Sequence, residues 1–295
     1  MHHGLAMGTI AATTLLCACG GTEGKKADSS SVAQTGAAAS ATSKASFDAS
    51  THTATIHARD FAFDAPDSVT AGWTTFHLVN DGPQLHHAQL VRLDSGKTTT
   101  DLTNALKNPG PPPAWAVFVG GTNAPNPGGE SSAVFNLEPG NYAMICMVDI
   151  PDHVPHVAKG MMHALRVTPS SNAAAEPTSD ITVALADYSF TTTGTFTAGK
   201  HTVKIVNNGP QPHELELVKL QPGKTPKDVA DWFVKMDGPP PVTAIGGVAA
   251  QIPKITSYAM FDLTPGKYVL YCFVPDGKDG KAHAEHGMFK EITIN

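Results

Sequence analysis

Residues 264–294 read TPGKYVLYCFVPDGKDGKAHAEHGMFKEITI. A Pro-Gly turn leads into an apolar and aromatic run that reads as a strand ending at Cys272. Ten residues then lead to His283, four more to Met288, and Phe289 to Ile294 reads as a closing strand. The same order occurs earlier, in residues 138–168, as Cys146, nine residues, His156, four residues and Met161. A further pair, His86 and His213, completes the repeat, each following an Asn-(Asp/Asn)-Gly-Pro-Gln turn. Two imidazoles, a thiolate and a weak thioether are the ligand types of an electron-transfer copper site. Their recurrence in register is hard to explain by packing alone.

Working outward, the repeat covers most of the chain. Asp60-Phe-Ala-Phe63 matches Asp187-Tyr-Ser-Phe190, Ala71-Gly72 matches Ala198-Gly199, and Gly110-Pro-Pro-Pro113 matches Gly238-Pro-Pro-Pro241. This is a duplication. The expected organisation is a leader over 1–18, a tether over 19–50, one domain over 51–168, a linker over 169–179 and a second domain over 180–295. Ile181, Val183 and Leu185 alternate with smaller or polar neighbours, as in a half-buried strand. Many short strands separated by turn chemistry predict an all-β fold of two β-sandwiches. One helix is expected in each half. Thr225 caps the second, with Asp228 at its third position and Val229, Trp232, Phe233 and Met236 at helical spacing as packing residues. Thr98, Asp101, Leu102, Ala105 and Leu106 do the same more weakly in the first half.

Composition narrows the function classes. The chain has 295 residues, a formal net charge of −6 and 16% charged residues, so neither a nucleic-acid surface nor a basic membrane surface is expected. Gly (27) and Pro (23) are frequent, which suits a loop-rich β protein. Of four cysteines, Cys146 and Cys272 fall one per repeat, so two thiols with the same local role are expected rather than a disulfide framework. Leu5 to Ala18 is apolar but shorter than the ~20 residues that span a bilayer. It ends at Leu16-Cys17-Ala18-Cys19, which resembles a bacterial lipobox; that resemblance implies a signal peptide and lipidation of Cys19. The low-complexity stretch after it reads as a flexible tether. An exported protein, held in the cell envelope by a lipid anchor alone, is expected.

Both halves resemble the cupredoxin (plastocyanin/azurin-like) family, on the quoted turns, the strand ending in cysteine and the His-x4-Met finish. The resemblance implies two tandem Greek-key β-sandwiches with a type 1 blue copper site in each, hence two coppers. Carried over by position, the metal ligands are His86, Cys146, His156 and Met161, and His213, Cys272, His283 and Met288. In the first half His87, His153, Met162 and His163 lie near enough in sequence to compete. His52, His57, His77, His201 and His286 have no counterpart in the sister repeat and are expected at the surface.

Three functions are weighed. Electron transfer between a redox donor and acceptor is the leading expectation, with no catalytic residues. Storage or delivery of copper in the envelope is the alternative. Multicopper oxidases and copper nitrite reductases are also built from consecutive cupredoxin domains, but they place a histidine directly before the copper cysteine. Here Ile145 and Tyr271 stand there and no His-x-His pair exists, so the chain is expected not to be an enzyme. The loop before His283 is more charged than that before His156, so the two centres are expected to differ in potential.

Overall fold

The computed structural model describes residues 44–107, 110–149, 152–235 and 237–295. The expected leader, Cys19, most of the tether and Met236 lie outside these residues. Residues 42–295 form one compact unit.

In the first half the strands are β1 (Ser46–Asp48), β2 (Thr53–Arg59), β3 (Ala62–Asp64), β4 (Ser68–Thr70), β5 (Gly72–Asn80), β6 (Ala88–Leu93), β7 (Ala116–Thr122), β8 (Glu130–Leu137), β9 (Gly140–Ile145) and β10 (Met162–Thr168). The second half has β11 (Ile181–Ala186), β12 (Ser189–Thr193), β13 (Gly199–Asn207), β14 (His213–Leu220), β15 (Val242–Gln251), β16 (Thr256–Leu263), β17 (Gly266–Tyr271) and β18 (Phe289–Ile294). Helix α1 (Thr99–Leu106) follows β6 and α2 (Pro226–Lys235) follows β14.

Each half is a sandwich of two sheets, the cupredoxin-like arrangement expected. Neighbours in a sheet are often distant in sequence: β2 pairs parallel with β5, and β11 with β13. The halves are not separate bodies joined only by a linker. β8 pairs antiparallel with β16, Ser132 facing Met260 and Phe135 facing Ser257, and β7 pairs with β15. Two nine-stranded sheets therefore run through both halves, and one apolar core contains the inward residues of each. The tether reading also extends too far, because Ser46–Asp48 pairs with β2. The segment read as a linker is anchored as well: Glu176 accepts hydrogen bonds from Tyr258 and from Lys204.

Alternation decides which side chains enter the core. Ile181, Val183 and Leu185 are buried while Thr182 and Ala184 are half-buried, as the pattern predicts. Each fully buried residue of this size contributes roughly 1.5–3 kcal/mol. Both helices start at a capping box, Thr98 with Asp101 and Thr225 with Asp228. They cover the outer face of one and the same sheet: Leu102 joins Val91, Ala143 and Ile145, while Val229 joins Val218, Val269 and Tyr271. Phe233 packs on that second cluster, whereas half-buried Trp232 stacks edge-on against Phe233 and donates its ring N–H to Gly238 O.

Several histidines expected at the surface are buried. His57 is paired with Asp81, His201 with Asp180, and His52 faces Thr70. The lack of a sister histidine did not mean exposure; each found a nearby polar partner instead.

Candidate metal centres

Four short segments build each centre. The Asn-x-Gly-Pro-Gln turn is closed by its own asparagine: Gly82 N–H donates to Asn80 Oδ1, and Asn80 Nδ2 donates to Gln84 O. Asn207, Gly209 and Gln211 repeat these contacts. The turn delivers His86 or His213, and its glycine is required by the close fit. A Cβ on Gly82 or Gly209 would sit 2.6 Å from the Nε2 of its histidine.

The other side chains come from the C-terminal loop of each half. After the cysteine the chain bends so that His156 N–H meets Val148 O, and His283 N–H meets Val274 O. One-turn 3₁₀ helices, His156–Lys159 and His283–His286, then end at Gly160 (φ 99°) and Gly287 (φ 94°). This left-handed stop turns the chain into Met161 or Met288. Met161 O accepts from Cys146 N–H and Met288 O from Cys272 N–H, each at 3.3 Å. The His-x4-Met spacing is thus one short turn plus a glycine reversal.

The structure brings the predicted residues together. In the first half His86 Nδ1 lies 3.0 Å from His156 Nδ1, which lies 3.4 Å from Cys146 Sγ. In the second half the two Nδ1 atoms of His213 and His283 are again 3.0 Å apart, with Cys272 Sγ at 3.9 and 3.4 Å. All six side chains have zero solvent exposure. Met161 and Met288 are also fully buried, in the same apolar cluster as the cysteines. The competing residues of the first half point elsewhere. His153 is exposed, His163 faces Pro66 O, Met162 meets Thr103 Oγ1, and His87 Nε2 accepts the Met147 N–H.

The hydrogen bonds behind the rings set their protonation. His86 Nε2 donates to Asp60 Oδ1 and His213 Nε2 to Asp187 Oδ1, both at 2.9 Å. Their Nδ1 atoms therefore carry the lone pair. Gln84 Nε2 donates to Asp60 Oδ2, which leaves Gln84 Oε1 to accept from His156 Nε2 at 3.3 Å. The His156 Nδ1 is consequently also a bare lone pair, aimed at that of His86. A thiol hydrogen can serve one of the two nitrogens, not both. Such a contact is unfavourable unless a cation sits at the point of convergence.

The electrostatics agree. Burial pushes His156 down to about 4, helped by the facing His86, and also lowers His86, His213 and His283. Burial pushes the Cys146 thiol up to about 12, and Cys272 is raised likewise. A neutral pocket of imidazoles and a reluctant thiol would become a thiolate site only by exchanging the thiol proton for a metal. The backbone N–H groups of His87 and Val148 are directed at Cys146, and those of Glu214 and Val274 at Cys272, which stabilises sulfur as the anion. Two imidazoles and a thiolate, with a soft thioether buried beside them, fit copper.

Some participants were quoted above only as markers of the repeat. Asp60 and Asp187 orient the first histidine of each centre, and Phe61 (φ 65°) and Tyr188 (φ 63°) follow them in the left-handed region. For residues with a side chain that conformation costs about 1–3 kcal/mol. It lays each aromatic ring edge-on to His156 or His283, at 5.5 and 5.6 Å. The recurrence of Asp-aromatic in both halves was the available signal.

Two β-sandwiches in tandem, each closing over a buried Cys/His/His cluster, make a tandem cupredoxin-like fold. No family model matches the chain, and no curated protein matches it. The dithionite-reduced auracyanin of Roseiflexus castenholzii is similar at 25% identity over 39% of this chain and 95% of that one, with a TM-score of 0.28. The blue copper oxidase of Nitrosomonas europaea is similar at 16% identity over 81% of this chain and 85% of its own, with a TM-score of 0.25. The copper nitrite reductase of Nitrosomonas europaea gives 17%, 82%, 93% and 0.24 in the same terms. The expectation that the chain is not an enzyme is corrected by these last two. Both are enzymes, and their similarity runs over both halves.

Proposed function

We propose that each half binds one copper ion, through His86, Cys146, His156 and Met161 and through His213, Cys272, His283 and Met288, and that the protein uses them to transfer electrons. One observation carries this reading: the paired Nδ1 lone pairs, 3.0 Å apart in both halves, with a cysteine sulfur 3.4 Å from the second ring. Copper bound there would supply a one-electron couple. The chain's contribution is to hold the donors still. Asp60 and Asp187 fix two rings, the 3₁₀ turns fix the other two, and zero exposure keeps water off the donor atoms. A cage that cannot relax toward the separate preferences of the two oxidation states favours fast exchange over tight storage.

A donor and an acceptor protein would exchange electrons with these centres, and the lipobox-like leader supports an envelope location on a lipid anchor. The test is the optical spectrum of the copper-loaded full chain. The expected result is an intense thiolate-to-copper band that bleaches on reduction and returns on oxidation. A colourless protein holding only exchangeable Cu(I) would instead favour copper handling. Oxygen-uptake and nitrite-reduction assays on the same sample measure whether the centres also drive turnover.

A further inference from the structure

A buried polar chain joins the two cysteine loops across the seam between the halves. Met147, which follows Cys146, donates its backbone N–H to His87 Nε2 at 2.8 Å. His87 therefore carries its proton on Nδ1, and the Asn123 side chain stands beside the ring. Asn123 Nδ2 donates to Glu214 Oε2 at 3.4 Å. Glu214 Oε1 accepts the backbone N–H of Phe273, the residue after Cys272, at 2.7 Å. His87, Asn123 and Glu214 are 8%, 4% and 8% exposed, so the chain is shielded from water.

Its ends are set against the proposed ligands. His87 and Glu214 directly follow His86 and His213, and Glu214 N–H also reaches Cys272 Sγ at 3.5 Å. Its middle is fixed by the seam itself: Asn123 N–H donates to Gly247 O in β15, and Asn123 Oδ1 accepts from Ala124 N–H. The approach of strands is close there. A Cβ on Gly246 of β15 would lie 2.1 Å from Ser131 Oγ in β8. The link cannot slacken without moving β7 against β15.

We propose, building on the copper reading above, that Asn123 is a positioning residue that couples the two centres, so that loading one raises the copper affinity of the other. Replacing a thiol by a metal thiolate changes the field at the adjacent peptide N–H. In a buried, low-dielectric chain each hydrogen bond polarises the next. Coupling between sites is typically 5–150-fold in affinity, so an effect of about 5-fold or more is expected.

The test is titration of the full chain with Cu(II) against a competing optical chelator. C146S and C272S give the affinity of each centre with the other disabled; the wild type gives the stepwise constants. The second step in the wild type should be about 5-fold tighter than the corresponding single-centre value. In N123A and in the near-isosteric E214Q that ratio should fall to about one, with both variants still melting cooperatively. Independent binding in the wild type, or a ratio undiminished in the folded variants, overturns the coupling. If the single-centre variants bind no copper with a thiolate band, the copper reading itself falls, and the coupling with it.

Discussion

His87 and Glu214 hold the same place in the two halves, each accepting the peptide N–H that follows the cysteine, yet one is an imidazole and the other a carboxylate. The same divergence recurs around them. Gln89, which donates to Gly120 O and Ala250 O, is replaced by Glu216, a buried carboxylate. Burial pushes Glu214 up to about 7 and raises Glu216 well beyond the usual carboxylate range. In the second half Gln211 also turns to Asp276, which stands 3.7 Å from His283 Nε2. The first half instead offers His156 the oxygen of Gln84. Duplication kept the inner donors and their spacing, while the side chains behind them drifted toward acid in the second half. The inner set fixes which ion fits, and the outer set tunes it.

The largest effect that could break the equivalence of the inner sets comes from removing a thiolate. C146S and C272S should each abolish the thiolate-to-copper absorption of one centre and leave the other, and the double variant should lose it entirely. A band surviving in the double variant would place copper elsewhere. Next come the outer carboxylates that the halves share. D60N and D187N should each lower copper affinity at their own centre by about 10–100-fold, measured by chelator competition. An effect in one half alone would show that the ring orientation is not held alike.

A smaller effect sharpens the contrast. Added negative charge favours Cu(II) over Cu(I), so the second centre should have the lower potential, read in the C146S and C272S backgrounds at pH 8. E214Q should raise it by on the order of 60 mV, the one-electron equivalent of a tenfold preference. Identical potentials would mean that the outer differences are silent. The smallest effect lies away from both centres. His201 pairs with Asp180, whereas its counterpart Thr74 bonds only to backbone oxygens. Burial opposes the charge on His201, but the Asp180 hydrogen bond, the Thr197 carbonyl and the Asp180 charge outweigh it and raise its pKa. A raised value in the folded state stabilises fully below the unfolded value of about 6.5 and is lost as pH rises through the folded value. H201Q should therefore melt below the wild type at pH 5.5, by within the ~1 kcal/mol of a partly exposed ion pair, and the gap should close by pH 9.

The strands and inner ligands were legible because their signals are local or repeated. Alternation marked Ile181 to Leu185, and the recurrence of His, Cys, His and Met marked both centres. The joining of the halves was not legible. Pairing of β8 with β16 and β7 with β15 depends on edges meeting across more than a hundred residues, and no periodicity records it. Asp60 and Asp187 were visible as repeated residues, but their reach to a histidine 26 positions on is set by the fold. His57 and His201 were misread because absence from the sister repeat says nothing about burial.

X-ray absorption at the copper edge of the fully loaded chain tests the central claim most directly. Two coppers per chain, each with one short copper–sulfur bond and two imidazole nitrogens, are predicted. Copper surrounded by nitrogen and oxygen alone, with no short sulfur bond, would contradict it.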